Sequence, residues 1–199
     1  MVGGRDGNIS VRLEDGRILC TPTEMHKGAM EPADIALLDA EGRQINGRRP
    51  VTSEVRLHLH IYRACADVAA VVHAHPPHAS AFAVAGKAPP GGVMPEVELS
   101  LGPVALAKYE TPGTDAVAQS VTPHLTAGAR AVLMSNHGAV TVAEDLLHAW
   151  WRMETLERYC QVILLSGPLG GPRPLAAGKL AKLLDLKRRR SSQGDCRSS

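Results

Sequence analysis

Val68-Ala69-Ala70-Val71-Val72-His73-Ala74-His75-Pro76-Pro77 is the stretch on which the fold turns. Five apolar residues in a row, bounded by prolines, read as a short strand covered on both faces. Side chains on a strand alternate between its two faces, so His73 and His75 project from the same one and can grip a single ion. Farther on, the apolar run Ala131-Val-Leu-Met134 breaks at Asn136-His137-Gly138 and resumes through Ala139–Val142. His137, at a strand break where sites tend to be built, is the third candidate ligand. Three imidazoles with one open position are a recognised catalytic zinc arrangement. The competing reading is one or two ordinary buried histidines bonded to backbone, and His78, just beyond the prolines, is the obvious impostor among the candidate ligands.

Upstream, Pro50-Val-Thr52-Ser53-Glu54 opens a helix predicted over Ser53–Ala64, with Thr52 or Ser53 as cap and Leu57, Ile61 and Ala64 at helical spacing. Glu54 is the candidate general acid/base, against the commoner use of a first-turn acid to complement the helix dipole. Thr52 and Ser53 offer hydroxyls and backbone N–H groups as an anion seat, which Asn8 and Thr23 can complete. His58, one turn after Glu54, can orient it; His26, His60, His124 and His148 read as solvent-facing or structural.

The flanks set the fold class. Alternation from Asn8 to Leu19 about Glu14-Asp15-Gly16 predicts a hairpin, and Ile35–Leu38 with Arg43–Ile45 about Asp39–Gly42 predicts a second strand pair. Helices are predicted over His78–Val84, Val117–Leu125 (capped by Thr114 or Asp115) and Ala143–Leu165. The last should bury a stripe of Leu146, Trp150, Met153, Leu156 and Val162. Lys87–Gly102 reads as a Pro/Gly-rich loop with one short strand at Val93–Val97. After Gly167 a short helix at Leu180–Leu186 precedes a basic tail, so one domain over residues 1–167 and a partly disordered end over 168–199 are expected.

Composition excludes several functions. The 199 residues carry a formal charge of +2 and are 3% aromatic, which leaves neither a basic footprint nor stacking platforms for nucleic acid. The four cysteines have no Cys-x-x-Cys spacing, which argues against a zinc ribbon or disulfide framework and fits a reducing cytoplasm. No run approaches a membrane span, and the first residues are no signal peptide.

Taken in order, Gly7-Asn8-Ile9-Ser10-Val11-Arg12, Thr21-Pro22-Thr23, Ser53-Glu54, Val71-Val72-His73-Ala74-His75, Tyr109 with Gly113-Thr114, and Asn136-His137-Gly138 resemble the class II aldolase/adducin family from Gly7 to about Leu165. The resemblance implies a three-layer α/β/α sandwich with a mostly antiparallel central sheet, assembled as a homotetramer with active sites between subunits. It implies zinc, or another divalent metal, on His73, His75 and His137, with Glu54 as acid/base and a substrate phosphate held by Asn8, Thr23, Thr52 and Ser53. The implied reaction is reversible cleavage of a phosphorylated ketose, such as fuculose 1-phosphate, in sugar or pentose breakdown. A methylthioribulose-1-phosphate-type dehydratase, a pentulose-phosphate 4-epimerase and a non-catalytic adducin-like scaffold are the alternatives.

The chain departs from the family pattern in places. Glu24 stands where a glycine follows the second threonine of the phosphate loop. Met94–Glu98 offers no match for the neighbouring subunit's tyrosine, with Glu96 in that neighbourhood, and no tyrosine follows Gly167. The N-terminal helical segment of the relatives has no counterpart ahead of Gly7.

Overall fold

A computed structural model describes residues 6–194; Cys196 and the first five residues lie outside that range. In chain order the strands are β1 (Asn8–Arg12), β2 (Ile18–Cys20), β3 (Ala36–Leu38), β4 (Gln44–Asn46), β5 (Ala70–Ala74), β6 (Val104–Ala107), β7 (Ala131–Met134) and β8 (Gly138–Ala143). The helices are α1 (Val55–Ala64), α2 (Pro77–Val84), α3 (Pro95–Ser100), α4 (Asp115–Thr126), α5 (Leu146–Ser166) and α6 (Ala177–Gly194). The strands form one sheet in the order β4-β3-β2-β1-β5-β8-β7-β6. Only the β6–β7 pair is parallel.

Residue parity along the central strands divides the interior into two layers. Val71, Val132, Met134, Val140 and Val142 pack with Leu57 and Ile61 of α1 and Val117 and Val121 of α4. Ala70, Val72, Ala74, Leu133, Ala139 and Ala143 face the other way, onto Ala79 and Ala83 of α2, Val97 of α3, and Met153 and Leu156 of α5. Helices thus cover both faces of a mostly antiparallel sheet, the three-layer α/β/α sandwich that the sequence implies. All five β5 residues are buried, as its unbroken apolar run requires. Each large apolar side chain enclosed this way contributes about 1.5–3 kcal/mol. Among the described residues no helix is long and apolar enough to cross a membrane.

Several elements differ from the sequence reading. Val93–Val97 is not a strand: Pro95 takes the first helical position of α3, where its missing N–H costs nothing, and Glu96 and Glu98 fall in the first turn. β6 has no counterpart in the sequence reading: Val104–Ala107 is a short run on a half-buried edge. α5 starts at Leu146 rather than Ala143, which still belongs to β8; Asp145 caps it by accepting from the His148 N–H. Its buried stripe is therefore Ala149, Met153, Leu156, Cys160 and Ile163, while Leu146 and Val162 are exposed. α1 starts at Val55 with Glu54 at the capping position, so neither Thr52 nor Ser53 caps it. α6 runs well beyond the Leu180–Leu186 candidate, through the stretch where an irregular end is expected.

Candidate metal centre and active site

β5 lies between β1 and β8, with Asn8 and Val140 directly across from His73. Directly paired residues share a face, so Asn8, Ser10 and His73 all point toward α1. Glu54, at the start of α1, meets them there. His75 follows the end of β5, held by the two prolines that start α2. His137 comes from the tight β7–β8 turn, where Asn136 adopts a left-handed conformation (φ 57°) and His137 N–H donates to Met134 O. Asparagine is among the few side chains that tolerate that conformation. Gly138 explains the rest of the Asn-His-Gly signal by a different constraint: a Cβ there would sit 2.5 Å from His75 Cδ2 and 2.6 Å from Ala74 O.

The three rings converge, with centroids 4.8, 4.8 and 4.9 Å apart, and one ligand atom from each lies within 4.8 Å of the others. His73 Nδ1 is 2.9 Å from Ala139 O. A carbonyl only accepts, so Nδ1 carries the proton and the Nε2 lone pair is turned into the cluster. His73 Nε2 and His75 Nε2 are 3.0 Å apart. Two nitrogens each about 2.0–2.1 Å from one tetrahedral ion stand roughly 3.3–3.4 Å apart, so this spacing is close to that of two ligands on one ion. Burial lowers the pKa of His75, and burial and the neighbouring His73 bring His137 down to about 4. Neutral imidazole is the form that binds a metal.

Glu54 faces the cluster with both oxygens. Oε2 is 3.3 Å from His73 Nε2 and accepts from Asn8 Nδ2 at 2.8 Å; Oε1 is 3.5 Å from His137 Nε2. Burial pushes the Glu54 carboxyl up, but His73, Asn8 and His137 together outweigh it and bring the pKa down to about 2. Oε1 is buried and has no hydrogen-bond partner among the described residues. An ionised oxygen left without a partner in a dry place is costly unless something positive or protic meets it. The donor set and this orphaned oxygen together fit a divalent cation with an open position toward a substrate.

The residues expected to seat a phosphate are brought into one neighbourhood by a zipper of backbone bonds. Thr21 N–H donates to Ile9 O, Thr52 N–H to Thr21 O, and Thr23 N–H to Pro50 O. The Thr52 and Thr23 N–H groups are therefore already engaged, which corrects the expectation that Thr52 offers a free one. Ser53 is exposed beside them, and Thr52 Oγ1 is 3.4 Å from Glu54 N. Asn8 is 3% exposed, with Nδ2 on Glu54 and Oδ1 on His58. Glu24 keeps a left-handed backbone (φ 52°), the conformation that favours the glycine it replaces, and its side chain is exposed.

His78 is no competitor for the metal. Its Nδ1 is 2.7 Å from Glu157 Oε1, and the same carboxylate accepts from the N–H groups of His78 and Ala79 at the start of α2. His58 orients Glu54 only at one remove, through Asn8. Ser10 and Tyr62, not singled out from sequence, complete that network. Their signal was present: Asn8 and Ser10 are two polar residues on the buried face of one strand, and Glu54, His58 and Tyr62 recur every four residues. Glu96 is exposed on α3 and Tyr109 is 55% exposed after β6. Burial raises the Cys20 and Cys160 thiols to about 12, which marks both as packing residues.

A three-histidine cluster faced by a buried carboxylate, at one end of an α/β/α sandwich, defines a candidate divalent-cation site able to polarise a substrate oxygen. Residues 1–164 match the family described as Class II Aldolase and Adducin N-terminal domain, and the chain belongs to that family. A 3-oxo-tetronate 4-phosphate decarboxylase from Escherichia coli is 34% identical over 186 residues, covering 90% of this chain and 85% of its own. A 5-deoxy-D-ribulose 1-phosphate aldolase from Bacillus thuringiensis is 31% identical over 185 residues, covering 90% and 84%. The solved structure of an L-fuculose 1-phosphate aldolase superposes with a TM-score of 0.84 at 28% identity, covering 93% of this chain and 87% of that one. These relatives are lyases by name, with aldolases and decarboxylases among them.

Proposed function

We propose that this chain is a divalent-metal-dependent lyase, with zinc as the ion, that breaks a carbon–carbon bond near the carbonyl of a phosphorylated sugar or sugar acid. The observation that carries the reading is Glu54 Oε1, a buried and unpartnered carboxylate oxygen facing three converged imidazoles. His73, His75 and His137 would hold the ion, which when bound supplies Lewis acidity toward a carbonyl oxygen. When the bond breaks, the carbonyl-bearing fragment keeps the electron pair and must gain one proton at carbon. Glu54 Oε1, ionised at rest, is the group positioned to take up a proton, from water in decarboxylation or from the departing fragment's hydroxyl in aldol cleavage, and pass it to that carbon. Thr23, Thr52 and Ser53 seat the phosphate, and Asn8 contributes by orienting Glu54. Assembly as a homotetramer with shared active sites, and a cytoplasmic location, belong to the same reading through the family resemblance.

Two leaving groups fit this chemistry. Loss of carbon dioxide from a 3-oxo-tetronate 4-phosphate is favoured by the 34% identity to the Escherichia coli decarboxylase over most of both chains. It also fits the absence of a tyrosine in Met94–Glu98, since carbon dioxide departs without a hydroxyl to deprotonate, whereas an aldehyde does not. Aldol cleavage of a ketose 1-phosphate to dihydroxyacetone phosphate and an aldehyde is the second reading, supported by the Bacillus thuringiensis relative. The zinc-loaded protein should be offered 3-oxo-tetronate 4-phosphate, fuculose 1-phosphate, ribulose 5-phosphate and methylthioribulose 1-phosphate. Carbon dioxide from the first is the expected result. Aldehyde release from a ketose phosphate would select the aldolase reading, and epimerisation, water loss or no turnover of any of the four would overturn the assignment of carbon–carbon bond cleavage.

A further inference from the structure

Asn8 fixes Glu54, and Asn8 is itself fixed from behind. Its Oδ1 lies 2.5 Å from His58 Nε2; His58 Nδ1 lies 2.6 Å from Ser10 Oγ; Ser10 Oγ lies 2.7 Å from the Tyr62 hydroxyl. All four residues are buried, and His58 is wholly enclosed. The direction of each bond follows from the one before it. An ionised carboxylate only accepts, so Asn8 must turn Nδ2 to Glu54 and Oδ1 to His58. An amide oxygen only accepts, so His58 carries its proton on Nε2. Burial takes the His58 pKa down to about 3, so the ring is neutral and Nδ1 bears a lone pair. Nδ1 therefore accepts from the Ser10 hydroxyl, and Ser10 oxygen accepts from Tyr62.

A histidine kept only for packing would need partners, but not partners arranged in one direction toward a carboxylate. Here each donor points toward Glu54, and the series ends on Oε2 while Oε1 is left unpartnered. A fully satisfied buried network of this kind favours one arrangement over all others. We propose that His58, backed by Ser10 and Tyr62, is a positioning residue: its Nε2–H tautomer locks the Asn8 amide, which anchors Glu54 through Oε2 and leaves Oε1 as the proton-carrying oxygen. This rests on the acid/base reading of Glu54.

The test compares His58→Leu, His58→Gln and Glu54→Gln as zinc-loaded full chains, assayed on 3-oxo-tetronate 4-phosphate and fuculose 1-phosphate. His58→Leu should keep its zinc and its KM while kcat falls about 10- to 100-fold. His58→Gln, whose amide N–H can reach the Nε2 position, should recover most of the loss. In the Glu54→Gln background, His58→Leu should cost nothing further. Nitrogen-15 NMR of histidine-labelled wild-type protein should show His58 as the neutral Nε2–H tautomer, and this readout decides the matter even if the leucine variant does not fold. An Nδ1–H tautomer, an undiminished kcat in His58→Leu beside an inactive Glu54→Gln, or a glutamine variant no better than leucine would overturn the positioning role. A fully active Glu54→Gln would instead remove the acid/base reading on which it rests.

Discussion

Among the described residues, two clusters bring three potential metal-binding side chains within 4.8 Å: His73, His75 and His137 at one end of the sheet, and Glu144, Asp145 and His148 at the start of α5. Proximity does not separate them; the state of their donor atoms does. In the second cluster Asp145 accepts from both the backbone N–H and the Nδ1 of His148, and Glu144 pairs with Arg152. Its side chains are about half exposed, and the cluster is a helix cap with a surface ion pair. In the first, a buried carbonyl fixes the tautomer of His73, and Glu54 Oε1 has no hydrogen-bond partner among the described residues. The first region also carries the backbone strain: Glu24 and Asn136, the positive-φ residues other than glycine among those described, adjoin Thr23 and His137.

The largest expected effect falls on the ligands themselves. His137→Ala should abolish stoichiometric zinc binding, whereas His148→Ala should leave it untouched; isothermal titration with zinc reads both. Equal losses from the two variants would break the distinction between the clusters. Gly138→Ala should come next. Its new methyl meets a histidine ring and a backbone carbonyl that cannot swing aside, so unfolding measurements should show a loss of about 1–3 kcal/mol with weakened zinc binding. Asp145→Ala, at the second cluster, should cost about 1 kcal/mol through loss of the cap, with zinc binding unchanged. The smallest effect is a gain: Glu24→Gly should stabilise the chain by about 1 kcal/mol by relieving a left-handed non-glycine residue. Destabilisation on that change would mean the Glu24 side chain contributes something beyond its strained backbone.

The difference between the regions also explains how far the sequence could be read. Strand parity predicts His73 and His75 on one face; the two rings do converge, although β5 ends at Ala74 and His75 lies just beyond it, and the break at Asn136-His137-Gly138 marks the third histidine. Both signals are local, whereas the layered α/β/α architecture is legible only through the family resemblance. What escaped was set by packing across the chain. Val93 and Val97 suggest a short strand in a Pro/Gly-rich stretch, but Pro95 between them opens α3 at its first helical position. Of the expected α5 stripe, Met153 and Leu156 are buried and Trp150 packs against the core, while Leu146 and Val162 are exposed, and β8 claims Ala143 so the helix starts later. The Ser10–His58–Tyr62 network is spread over β1 and α1, and its members are ordinary residues until the two elements meet. His78 is the impostor its position suggests, but the Glu157 that occupies it lies 79 residues away in sequence and no local rule names it.

The central claim is that an unpartnered buried oxygen on Glu54 makes the three-histidine cluster a catalytic centre rather than a cation store. Glu54→Gln keeps the shape and removes the charge. On the zinc-loaded variant, turnover and zinc content should be measured together: kcat should fall about 10²- to 10⁴-fold with one zinc per chain retained. Undiminished turnover with the metal in place would contradict the account.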